Sequence, residues 1–151
     1  MRSSLRVLAA GLVLVGAPAA IASAEAVRTV LSASLVAGAP GQTLDLYKVT
    51  IPGGTTLPLH YHPGSQVSHI VKGALKYTVV RGYAYVTTPN GTDVPDRKII
   101  RQGQTVMIPA GKGLVEPKDM QHVASTPRGE TIVMLAIVRK KGTPGTIVVA
   151  P

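Results

Sequence analysis

The chain has 151 residues, no Cys, no Trp and no Phe, so any core is built from aliphatic residues, Met and Tyr, without disulfides. Its formal net charge is +9. No stacking aromatics accompany the basic runs Asp96–Arg101 and Arg139–Lys141, so the charge reads as a solvated basic surface, and no nucleic-acid partner is expected.

Taken in order, residues 1–24 read as a signal peptide. Arg2 and Arg6 precede an apolar run from Val7 to Ala20, and Ala22-Ser23-Ala24 offers small residues for cleavage. The address expected is a periplasm or the outside, with no integral membrane span after cleavage. Residues 25–43 follow as an N-terminal lead-in or edge strand, and residues 44–151 as a single β domain. Leu44–Ile51 alternates with period two, as a half-buried strand does. Pro52-Gly53-Gly54 closes it. Val67–Val71, Ala74–Val80, Tyr83–Thr87, a brief Ile99-Ile100 and Thr105–Pro109 read as further strands. Leu114-Val115, Gln121–Ala124, a β-branched buried run at Thr131–Val138 and a short strand at Thr146–Val149 complete them. Gly or Pro interrupts almost every dozen residues, and no window sustains a helical period. Many short strands with frequent turns predict a closed or double-sheet all-β fold.

The chemistry concentrates at residues 54–73. His60 and His62 are one residue apart, so a strand presents both rings on one face, where a metal ion can be clamped. Pro58 and Pro63 bracket the pair and suit a strand end. This stretch resembles the first motif of the cupin family, G-x5-H-x-H-x3,4-E-x6-G. Gly54, His60, His62 and Gly73 match it, while Gln66 stands where the family has Glu. The second motif, G-x5-P-x-G-x2-H-x3-N, fits in the register Gly111, Pro117 and His122, with Asp119 in place of Gly and Thr126 in place of Asn. Asp tolerates the left-handed turn that the family's Gly provides.

The resemblance implies an all-β double-stranded β-helix, or jelly-roll barrel. It also implies one divalent transition metal (Fe, Mn, Ni, Zn or Cu) held by His60, His62, Gln66 and His122. Gln adds no charge, so the site keeps the ion's +2 and is a stronger Lewis acid that holds its metal less firmly. Thiol dioxygenases, with three His and no carboxylate, and small Gln-containing cupins acting on sugar acids are similar in this respect. The implied partner is a small-molecule substrate or ligand, and cupins of this size pair as homodimers. Dioxygenase, isomerase or lyase chemistry stands beside a non-catalytic ligand-binding or sensing module.

Around that site, Leu75, Val79, Met107, Met134 and Leu135 read as core and pocket wall. Tyr77 reads as a core residue whose hydroxyl needs a partner. His69, of opposite parity to Gln66, points away from the pocket. Glu116 reads as a rim residue, which leaves no clear proton-transfer group.

Overall fold

The computed structural model describes residues 25–150, so the expected signal peptide lies outside the described residues. Those residues form two antiparallel sheets. Twelve strands run as β1 (Val27–Leu35), β2 (Gln42–Ile51), β3 (Thr56–Tyr61), β4 (Gly64–Lys72), β5 (Ala74–Arg81), β6 (Tyr83–Thr88), β7 (Asp96–Arg101), β8 (Thr105–Pro109), β9 (Gly113–Glu116), β10 (Gln121–Ser125), β11 (Thr131–Lys140) and β12 (Ile147–Val148). One sheet has the order β1-β2-β11-β4-β9-β6-β7 and the other β12-β3-β10-β5-β8. Strands distant in sequence lie side by side, as expected of a jelly roll. No helix among the described residues is long and apolar enough to cross a membrane.

The sheets are cemented by aliphatic residues that alternate inward along each strand. Ile51, Ile70, Leu75, Val79, Ile100, Ile108 and Leu114 are buried in one cluster with Tyr77 and Met120. Tyr47, Leu135 and Ile137 form a second cluster, packed against Val49. The β-branched run of β11 is half-buried rather than buried: Val133, Leu135 and Ile137 point inward, while Val138 is exposed on the outer face. Two expected wall residues are likewise corrected. Met107 is 51% exposed, and Met134 faces a shallow groove on the outer surface with Leu46, Val67 and His69. Each differs in parity from its inward neighbours Ile108 and Leu135, and an aliphatic run hides that alternation.

Three turns position the site. At Gly73, φ is +77°, and an added Cβ would lie 2.5 Å from the Glu130 carbonyl oxygen. At Asp119, φ is +62°, the one positive value at a non-glycine residue among those described. The Asp in the second motif therefore adopts the conformation the family's Gly supplies. Thr126 is fully buried and ties two loops together: its hydroxyl donates to the Pro52 carbonyl (2.5 Å) and accepts from the Thr55 amide (3.2 Å).

Candidate metal centre

His60 lies near the end of β3, and His62 directly follows the strand. Its pairing with β10 runs Gln121 to Tyr61 and His122 to His60, then slips to Ala124 opposite Leu57. The extra residue falls at Pro58-Leu59, where Pro costs no ladder hydrogen bond and the bulge re-aims the strand. The Pro58 carbonyl turns back to His60 Nδ1 at 2.7 Å. His62 Nδ1 lies 2.7 Å from the Gly145 carbonyl, just before β12. Both carbonyls require a proton at Nδ1, so each ring keeps its Nε2 lone pair free.

His122 lies directly across from His60 on β10. The two ring centroids are 4.1 Å apart, and Tyr77 stacks on His122 at 4.8 Å. All three histidines are buried, and one nitrogen from each falls within 4.8 Å of the others. Burial pushes the His122 pKa down to about 3 against the opposing pull of Glu116. Burial also lowers the His60 pKa, an effect the Pro58 carbonyl opposes and the charges of His62 and Arg28 reinforce. Both rings are thus neutral near pH 7, the form that ligates a metal.

Gln66 is buried on β4, directly opposite Glu116 on β9. Its Nε2 donates to Glu116 Oε2. Its Oε1, and Nδ1 of His122, are buried with no hydrogen-bond partner among the described residues. Three buried imidazoles and an orphaned amide oxygen fit a divalent transition metal.

Glu116 is the main correction to the sequence reading: it is 3% exposed and sits inside the barrel. Tyr77 donates its hydroxyl proton to Glu116 Oε1, and His122 Nε2 lies 3.3 Å from the same oxygen. Burial alone would raise the Glu116 pKa. Electrostatic attraction to the His122 and His62 rings and the hydrogen bonds from Tyr77 and Gln66 outweigh it and bring the pKa below the usual value. The phenol is pushed well above its usual range by burial and by the Glu116 charge. The pair is therefore a carboxylate held by a protonated phenol. No local sequence signal marks Glu116: it pairs in register with Gln66, and only strand topology reveals that. His69 is exposed, as its parity indicates.

The histidines open into a cavity of about 320 Å³ walled by Val49, Ile51, Leu57, Leu75, Val133 and Leu135. Apolar walls with a few convergent polar groups are the usual make-up of a small-molecule site.

By sequence alone the chain matches no family model and no curated protein. Its fold matches solved structures. A cupin 2 conserved barrel domain protein from Leptotrichia buccalis aligns at TM-score 0.50 and 19% identity, over 76% of this chain and 41% of that one. This chain thus spans less than half of that protein. A cupin 2 domain-containing protein from Halorhodospira halophila aligns at TM-score 0.51 and 14% identity, over 83% of this chain and 71% of that one. The topology, the two sheets and these likenesses together give the chain the cupin fold.

Proposed function

We propose that this chain is a metal-dependent enzyme that removes a proton from a small organic molecule held in the barrel, in an isomerisation or a lyase elimination. One observation carries the reading: the buried Glu116 carboxylate lies beside the histidine cluster, braced by Tyr77 and Gln66. A module that only binds ligands has no need of a charged carboxylate in its interior, and burying one is costly. His60, His62 and His122 would hold the ion, with Gln66 Oε1 facing the shell. The bound metal supplies Lewis acidity that stabilises negative charge on a substrate oxygen. Glu116 accepts the proton. Tyr77 donates to Glu116 and fixes which oxygen lone pair is open. The apolar walls exclude water and orient the ligand.

Elemental analysis and solvent-deuterium incorporation test this. Wild-type protein loaded with Mn, Fe, Ni or Zn is incubated in D2O with a panel of small hydroxy and keto acids and followed by NMR. Deuterium should appear at carbon in at least one panel member, and Glu116→Gln should abolish it. Absence of metal uptake, or exchange by Glu116→Gln at the wild-type rate, contradicts the reading.

The composition of residues 1–24 supports export with a mature N-terminus near Glu25. A full-length mass for protein recovered from the envelope fraction contradicts that. Leu46, Ala136 and Val67 form a row across β2, β11 and β4 on the outer face, and Leu46 and Val67 are exposed. That apolar row supports pairing of two copies.

A further inference from the structure

Two arginines flank Tyr47, and they are treated differently. Arg139 Nη2 lies 2.7 Å from Asp45 Oδ2, and Arg139 also donates to the Thr143 carbonyl. Asp45 is buried and accepts from the Tyr47 hydroxyl as well, at 3.4 Å. The local carboxylate is thereby committed to Arg139. Arg28, from β1, lies over the Tyr47 ring, 4.6 Å from its centroid. It takes part in none of the ion pairs among the described residues.

Arg28 is nonetheless held in place, and on the cavity side. It lines the same cavity as the three histidines. Its Nη1 packs against Gly145 so closely that a Cβ there would collide with it. The Gly145 carbonyl is the group that orients His62. Burial lowers the Arg28 pKa, yet a guanidinium stays charged in any neutral solution. A partly buried cation without a carboxylate, stacked on one ring and abutting one glycine, is a preformed anion site with planar, forked donors.

We propose that Arg28 binds the carboxylate of the substrate, and that the substrate is a small organic acid whose apolar body lies against Val49, Ile51, Leu57 and Leu135. The inference rests on the metal-site reading above, since the same cavity serves both. Within it, the histidine cluster marks the reacting end of the ligand and Arg28 the anchored end.

The test uses full mature protein loaded with Zn2+, which is redox-inert, and titration calorimetry with butyrate and butyramide, which match in shape and differ in charge. Zn2+ content is measured for every variant. Wild type should bind butyrate more tightly than butyramide. Arg28→Gln should lose about tenfold or more in butyrate affinity, the least expected for a charge-assisted hydrogen bond, and should leave butyramide binding and Zn2+ content unchanged. Arg28→Lys, which keeps the charge and loses the fork, should fall between the two. Equal wild-type affinity for the two probes, or unchanged butyrate binding in Arg28→Gln, overturns the proposal while leaving the metal site standing. Failure of wild type to retain Zn2+ defeats the underlying reading instead.

Discussion

Gln66 and Glu116 face each other in register across β4 and β9, and the amide of one donates to the carboxylate of the other. The first motif lacks its carboxylate, yet a carboxylate stands one strand away. The site is therefore not simply more positive than that of a Glu-containing relative. Its negative charge enters from β9 and is shared among His122, Tyr77 and Gln66.

That placement changes what Gln66→Glu should do. Read from sequence, the substitution adds a ligand charge and tightens metal binding. In the structure it also sets two buried carboxylates against each other and removes the amide donor. Metal-free Gln66→Glu should be less stable than wild type by about 1–3 kcal/mol, the cost of a lost buried partner. Added metal should raise its Tm more than it raises that of wild type. Melting curves with and without Zn2+ decide this; identical metal-free curves would mean the two side chains do not meet.

Glu116→Gln keeps the shape and removes the charge. Loss of a group that braces a metal ligand typically weakens affinity 10–100-fold, and a drop in that range is expected here. Competition with a chromogenic chelator measures it. An unchanged Kd would place Glu116 outside the metal's influence.

Gly73→Ala tests the turn that ends β4. The new Cβ meets both strain and crowding, since φ is +77° and the Glu130 oxygen is 2.5 Å from where it would sit. Gly111 has a similar φ of +85° and open space around it. Gly111→Ala should cost about 1 kcal/mol, the left-handed penalty alone, and Gly73→Ala clearly more. Equal losses in urea melts would show that the contact relaxes freely.

Val67→Lys tests the outer face. Val67 is 53% exposed beside the shallow groove formed by Leu46, Met134 and Ala136, so a lone chain should tolerate the substitution. Light scattering should give a dimer mass for wild type and a monomer mass for Val67→Lys. A wild-type monomer at micromolar concentration contradicts pairing through this face.

Much of this architecture was legible in the residues. Period-two alternation and glycine punctuation located the strands, and Thr105–Pro109 coincides with β8. The one-residue spacing of His60 and His62 foretold a paired presentation, and both rings are buried with centroids 5.2 Å apart. The conformation of Asp119 followed from the motif register. What stayed hidden depended on which strands are neighbours. Glu116 sits beside Pro117, Lys118 and Asp119 in sequence, and only the pairing of β9 with β4 turns it inward. Arg28 lies in a stretch with no motif, and reaches the cavity because β1 pairs along β2. Met107 and Met134 were misplaced because aliphatic runs conceal which parity faces the core.

Arg28 precedes nearly all of the barrel, and Gly145 follows nearly all of it, yet the two touch at the cavity. Contacts between such distant segments close the largest loops, so they form late in folding. A chain still emerging from synthesis, or one clipped near Thr143, could pair most of its strands and still lack the support for His62. The cavity is thus a joint between the two ends of the domain, and completing it coincides with completing the fold.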